Sequence, residues 1–325
     1  MTKSSINVGL VGTGYAAKRR AEALNNDERS RLVAVTGNTR EKLADFCQTY
    51  SVSPLDSWQT LVNQPNLDLV VICTINRDHA QIARAALEAG KHAIVEYPLA
   101  LNPLEAEDLI ALAKQQGKLL HVEHIELLGG LHQAMRQYLS DIGNVFYARY
   151  ATISPKRSVS QSWTYHHQMY GFPLIAALSR LHRFTDLFGT VTSVTCQARF
   201  WEATAPDYYR ACLCDAQLRF HNGLIADVVY GKGEVFGQSD RTFELHGDQG
   251  TLIFAGEQGT LIREEEKIPI EVASRRGLFA KDTQMVLDHL CEGTPLYVTP
   301  ISSLYALEVA DAAFKSAKIG KTVEL

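Results

Sequence analysis

Short β-branched runs alternate with amphipathic stretches through the first third of the chain. INVGLVG (6–12) reads as a strand and AAKRRAEALNN (16–26) as the helix after it. RLVAVTG (31–37) precedes TREKLADFCQTY, LDLVVICTI (67–75) precedes HAQIARAALEAG, and HAIVEYP (92–98) precedes PLEAEDLIALAKQQG; LLHVEHIEL (119–127) ends the series as a last strand. Strands that alternate with helices predict a parallel sheet covered on both faces. Beyond residue 125 the texture changes. VFYARYATI, TSVTCQARFW, YRACLCDAQLRF, LIADVVYGKG, RTFELHG and GTLIFAG are strand-like, and HNG, GDQG and GEQG mark tight turns between several of them. One helix, PLIAALSRLHRFTDLFG (173–189), interrupts them early, and two more, DTQMVLDHLCEG and SSLYALEVADAAFKSAKIG, follow. The expected class is α/β. A Rossmann domain with a doubly wound parallel sheet spans 1–124, and an α+β domain with a large, mostly antiparallel sheet spans 125–325.

Composition narrows the function. With 46% apolar and 21% charged residues in 325, both cores can be filled. A net charge of −4 and no Lys/Arg block argue against nucleic acid and against a membrane surface. The start MTKSSINVGLVGTG leaves no room for a secretory leader, and the longest apolar run, LDLVVICTI, is too short to span a bilayer. The six cysteines form no C-x-x-C pair and fall mostly in apolar runs, which suits reduced thiols of a cytoplasmic protein.

GTGYAA (12–17) fits G-x-G-x-x-A at the first strand-to-helix turn. Gly12 allows the tight turn, Gly14 the approach of backbone to pyrophosphate, and Ala17 close helix–strand packing; Tyr15 and Ala16 lie in the same loop. The helix start then offers N–H groups and the positive end of its dipole to phosphate. The second strand ends VTGNTREK, with no acid to bind a ribose 2′-hydroxyl before Glu41. Asn38, Thr39 and Arg40 can donate to a 2′-phosphate instead, so NADPH is the expected cofactor. Thr74, Ile75 and Asn76 end the third strand, and Glu96 and Tyr97 end the fourth. All five, with His79 just beyond, are expected to line the nicotinamide half.

The G-x-G-x-x-A turn, the strand ending in E-x-P and the helix that opens the second domain resemble the glucose-fructose oxidoreductase and inositol dehydrogenase family over essentially the whole chain. That family carries a lysine between Glu and Pro, and an aspartate and histidine four residues apart on the helix. Here those positions hold Tyr97, Ala176 and Arg180. Arginine cannot act as a base and tyrosine is a poor one, so oxidation of a hydroxyl loses its proton acceptor. Fixed positive charge on Arg180 and Arg183 suits an anionic, electron-poor hydride acceptor. VEYPLALNPLEAEDLIALAKQQGKLLHVEHIELL (95–128) and the S-R helix more specifically resemble the biliverdin reductases. GTGYAAKRR (12–20) and WTYHHQ (163–168) are closest to the cyanobacterial form.

That resemblance implies NADPH-dependent reduction of the tetrapyrrole biliverdin IXα to bilirubin, by hydride addition at the central methine bridge. Arg180 is then expected to matter most for chemistry, with Tyr97 shaping the nicotinamide–substrate interface. Glu123, Glu126, His124 and Arg183 are candidate substrate contacts. His121 and Glu123 would share one face of their strand, and His124 and Glu126 the other, which does not make a metal site. WTYHHQMYGFP (163–173) could cover a flat pigment. Arg275 and Arg276 read as a solvated pair, and Arg199, Arg210 and Lys232 as outward residues of a sheet face expected to floor the substrate site, where they could contact substrate. A monomer is favoured, with a weak dimer as the other state. The competing readings are a sugar or polyol dehydrogenase and a non-catalytic NADP-binding regulator.

Overall fold

The computed structural model describes residues 5–159 and 161–325, which form two compact units. The first unit comprises the chain up to Ile125 together with Gly277–Leu304. The second comprises Glu126–Arg276 and Tyr305–Leu325. The chain thus returns to its first unit after the 124/125 boundary read from the sequence.

The first unit runs β1 (Ile6–Val11), α1 (Tyr15–Asn25), β2 (Ser30–Thr36), α2 (Arg40–Tyr50), β3 (Ser53–Pro54), α3 (Trp58–Val62), β4 (Leu69–Ile72), α4 (His79–Glu88), β5 (His92–Glu96), α5 (Pro103–Gln116) and β6 (Leu120–Glu123). Its six strands are all parallel in the order β3-β2-β1-β4-β5-β6. The order reverses between β1 and β4, and the crevice at that reversal is where doubly wound sheets bind nucleotides. β4 is buried along its whole length, as a central parallel strand covered on both faces must be. Val8, Leu10, Val35, Leu69, Val71 and Ile94 pack with Ala17, Ala21 and Leu24 of α1 in one core cluster. Local signals set the helix ends: Asn102 caps α5 by accepting from Leu104 N–H at 2.8 Å, Pro103 takes the first turn, and Gly117 closes it at φ +60°.

The second unit contains α6 (Ile125–Leu128), α7 (Gly130–Tyr138), β7 (Val145–Pro155), α8 (His167–Tyr170), α9 (Pro173–Ala176), α10 (Ser179–Phe188), β8 (Val191–Glu202), β9 (Tyr209–Phe220), β10 (Ile225–Gly233), β11 (Asp240–Gly247), β12 (Gly250–Ala255), β13 (Gln258–Arg263) and β14 (Glu266–Glu271). After α11 (Leu278–Glu292) and α12 (Pro300–Ile319), β15 (Val323–Glu324) joins the same sheet. The nine strands lie in the order β14-β13-β12-β11-β7-β10-β9-β8-β15. Only β7 and β10 pair in parallel; every other neighbour is antiparallel. β9 shows the period-two pattern of a one-sided core: Cys212, Cys214, Ala216, Leu218 and Phe220 are buried, whereas Asp215, Gln217 and Arg219 are exposed. Burial of the Cys212 and Cys196 thiols raises their pKa to about 11 and about 12, as inert packing groups require.

Three local expectations change. LLHVEHIEL is strand only to Glu123; Ile125–Leu128 is helical, so His124 and Glu126 do not alternate on one strand face. The helix expected over 173–189 is two helices, joined at Ala177–Leu178 by tight turns that bond Arg180 N–H to Ala177 O and Leu181 N–H to Leu178 O, each at 3.0 Å. Lys232 does not face outward. It shares the inward side of β10 with Ala226, Val228 and Tyr230 and is buried.

Candidate functional site

The first unit offers a dinucleotide cradle. Gly12 adopts φ +122°, and a Cβ there would stand 2.2 Å from the carbonyl oxygen of Cys73, so only glycine lets the loop pass the end of β4. Gly14 is different: a Cβ there would meet no heavy atom within 4 Å. The space in front of Gly14 is open to a phosphate, at a helix start whose first turn holds no acid and no side-chain cap. Ala17 is buried against the sheet, Tyr15 is exposed and Ala16 half-buried. Asn38, Thr39 and Arg40 are exposed at the start of α2, which Thr39 opens without a side-chain cap. This second helix N-terminus, with a cation beside it, fits the 2′-phosphate of NADPH.

Thr74 and Ile75 are half-buried beyond β4, and Asn76 is buried at the start of a 3-10 turn. His79 is buried, with Nδ1 2.8 Å from Pro98 O and Nε2 3.3 Å from Thr74 O. Burial keeps this imidazole neutral by lowering its pKa. Its ring is committed to the backbone after β4 and β5 and ties those two strand ends together. Tyr97 is half-buried and stacks on His124, with centroids 5.3 Å apart and planes at 6°. The other side of the His124 ring is held by Ser303 Oγ, 2.8 Å from Nε2.

Beneath these strand ends lies a charge network the sequence reading missed. Arg20 of α1 is fully buried and bonds Glu96 Oε1 at 3.0 Å, Thr283 Oγ1 at 3.0 Å and the carboxylate of Asp282. Asp282 also accepts from Tyr297 Oη at 2.7 Å and lies 2.8 Å from His121 Nε2. Burial alone would raise the pKa of Asp282, but Arg20 and His121 hold it well below the usual carboxylate range. Glu123 is buried and accepts from the N–H of Ile125. Burial first, then the charge of Glu96, push its pKa far up. One clue was available: Arg20 sits on the apolar face of α1, three residues after Ala17 and four before Leu24. Asp282, a distant position, gave no such signal.

The second unit carries the candidate substrate groups. Arg180 is the second residue of α10, bonds Ser179 Oγ at 3.0 Å, and lies with Cζ 5.2 Å from the ring centroid of Tyr230. Arg183, three residues on, is buried and bonds Glu126 Oε2 at 2.6 Å. Glu126 also pairs with Arg275, so Arg275 is ion-paired rather than merely solvated. Glu126 and Arg183 therefore occupy one another, and Arg180 is the more open cation of the helix. The segment WTYHHQMYGFP is not a plain loop: it forms a 3-10 turn at Trp163–Tyr165 and then α8, with His166 bridged to Tyr208. Among the described residues, no three His, Cys, Asp or Glu side chains converge in a way that could hold a metal ion.

Residues 6–124 match the family described as "Oxidoreductase family, NAD-binding Rossmann fold", and residues 139–325 match its C-terminal alpha/beta domain. The chain belongs to this oxidoreductase family. Within it, the chain is 58% identical to a biliverdin reductase from Synechocystis sp. PCC 6803, whose crystal structure holds biliverdin and NADP+. That structure superposes with a TM-score of 0.95 over 96% of this chain and 99% of the other. Biliverdin reductase A of Mus musculus is 26% identical over 89% of this chain and 87% of its own length. A levoglucosan dehydrogenase shares the fold at a TM-score of 0.86 but only 18% identity, covering 99% of each chain. The fold alone is thus shared with a dehydrogenase of distant sequence.

Proposed function

We infer that this oxidoreductase reduces biliverdin to bilirubin with NADPH. The observation that carries the inference is the 58% identity, over nearly the full length of both chains, with a protein crystallised with biliverdin and NADP+. In this reaction NADPH supplies a hydride to the central methine carbon, and a proton from the medium completes the product at a pyrrole nitrogen. The residues present fit the cofactor: an open phosphate cradle at Gly14, and Asn38, Thr39 and Arg40 exposed at a second helix start.

The side chains suit reduction better than dehydrogenation. Removing the proton of a hydroxyl needs a base near neutral pKa, and neither Tyr97 nor Arg180 supplies one. Hydride arrival places negative charge on the conjugated acceptor. A fixed guanidinium such as Arg180 stabilises that charge without a proton transfer of its own. Tyr97, immobilised on His124, provides a flat wall that orients stacked rings. The test is a visible-light assay with biliverdin IXα and either NADPH or NADH. Loss of the red band with growth of a yellow product, faster with NADPH, is the expected result. A green solution that stays unchanged with both cofactors would refute the reading.

A further inference from the structure

Three side chains of the second unit form a column behind Arg180. The guanidinium rests on the Tyr230 ring, Tyr230 Oη lies 3.0 Å from Tyr170 Oη, and Lys232 Nζ stands 3.5 Å from the centroid of the Tyr170 ring. Lys232 also bonds the carbonyl of Thr164 and faces the Tyr165 ring at 4.6 Å. Both tyrosines and the lysine are buried, and none belongs to the Arg183–Glu126–Arg275 ion pairs.

We propose that Lys232 is a positioning residue for Arg180, acting through Tyr170 and Tyr230, and that its charge state sets how firmly Arg180 is held. This rests on the biliverdin reductase reading for its consequence in catalysis, but not for the linkage itself. The physical route has three contacts. A cation over the Tyr170 ring withdraws electron density and makes the Tyr170 hydroxyl a better donor. Donation to Tyr230 Oη draws electron density out of the Tyr230 ring. A depleted ring binds the Arg180 guanidinium more weakly on its face, so Arg180 is held most firmly when Lys232 is neutral.

Lys232 is also placed to change charge in the neutral range. Burial lowers its pKa from the ordinary lysine value to about 7. The groups that act on it are the Cys212 and Cys214 thiols of β9, Arg180 of α10 and Lys156 after β7, with the rings of Tyr165, Tyr170 and Tyr209 packed around the ammonium. Burial outweighs the two thiols, which raise the pKa, while Arg180 and Lys156 add to the lowering.

The experiment compares wild type, Lys232→Met and Tyr230→Phe for kcat and KM across pH 5.5–9, with melting temperatures alongside. Wild-type kcat should rise as pH rises through about 7, when Lys232 loses its proton and Arg180 is held more firmly. Lys232→Met should lack that break and run at the high-pH level throughout. Its excess over wild type at pH 6 should be about three- to thirtyfold, the scale of a desolvated cation–π contact. Tyr230→Phe keeps the ring and removes the hydroxyl link, and should lose the same break with the KM for NADPH unchanged. A Lys232→Met protein that melts at another temperature but keeps the wild-type pH break makes Lys232 structural and overturns the proposal. If wild type does not turn over biliverdin at all, the proposed function fails and the linkage is read without activity. In 15N-arginine-labelled protein, the Arg180 Nε resonance, assigned with Arg180→Lys, should titrate near the Lys232 midpoint in wild type and not in Lys232→Met. An Arg180 signal that ignores both pH and the substitution overturns the proposal independently.

Discussion

Glu96 and Glu123 are register partners at the carboxyl ends of β5 and β6, and both feel the charge of Arg20. One cation beside two adjacent carboxyls, with Asp282 on its other side, cannot balance them all. The deficit falls on Glu123, whose pKa burial and Glu96 push far above the carboxylate range. Glu123 therefore holds its proton to a higher pH than an ordinary glutamate. The unfolded chain gives up that proton near pH 4.3, so Glu123 favours the folded state below this value and loses that advantage as pH rises toward its folded pKa. Glu123→Gln keeps the neutral shape and removes the titration. The melting temperature of Glu123→Gln relative to wild type should therefore rise steadily from pH 5 to pH 9. A constant difference across that range would mean Glu123 ionises normally.

The two glycines of the nucleotide loop should fail in opposite ways. Gly12→Ala places a methyl against the Cys73 carbonyl at a positive φ, so it should cost about 2–4 kcal/mol of stability, seen in urea unfolding. Gly14→Ala has open space around its methyl and should melt like wild type, yet occupy the path of the pyrophosphate. Its NADPH dissociation constant, by fluorescence titration, should rise at least tenfold. Equal NADPH affinity in Gly14→Ala and wild type would remove the phosphate from this loop.

Arg40 should decide between the two nicotinamide cofactors. A charge-assisted hydrogen bond contributes about 1.5–3 kcal/mol, so Arg40→Ala should raise the KM for NADPH about ten- to a hundredfold. NADH, which has no 2′-phosphate, should be little affected. A parallel loss for both cofactors would place Arg40 in general folding rather than in phosphate recognition.

Arg180→Ala should lower kcat by about a hundred- to a thousandfold, the cost of losing one preorganised donor to developing charge. NADPH affinity should be unchanged, because the cradle belongs to other elements. Arg180→Lys keeps the charge without the planar fork and should recover only part of the loss. Near-normal turnover in Arg180→Ala would end the assignment of this residue to the chemistry.

Much of the architecture was legible because local signals and burial agree. The Gly12–Ala17 turn, the fully apolar β4 and the alternation of β9 each point to one conformation without tertiary information. The strand end after Glu123 was not legible, because LLHVEHIEL continues an apolar pattern into what becomes helix α6. Lys232 was misread as outward since strand parity gives two faces without saying which is buried. The Arg20–Asp282 pair was invisible for a different reason: its members are 262 positions apart and pair only when the chain returns to its first unit.

That pair gives the last prediction. Arg20 has no solvent to fall back on, and its loss would leave buried Asp282 and half-buried Glu96 without their cation. Breaking a buried ion pair on one side costs about 3–5 kcal/mol, because an uncompensated charge stays behind. Arg20→Met should therefore lower stability by that amount in urea unfolding at pH 7. Asp282 has a depressed pKa, so its contribution is fully present above the ordinary aspartate range and is lost as pH falls below it. The Arg20→Met deficit should accordingly shrink in acid, as the orphaned carboxylates take up protons. The double variant Arg20→Met/Asp282→Asn removes one stranded charge and should be more stable than Arg20→Met alone, a coupling that a double-mutant cycle measures directly. Additive losses in that cycle would show that Arg20 and Asp282 stabilise the first unit separately, despite their contact.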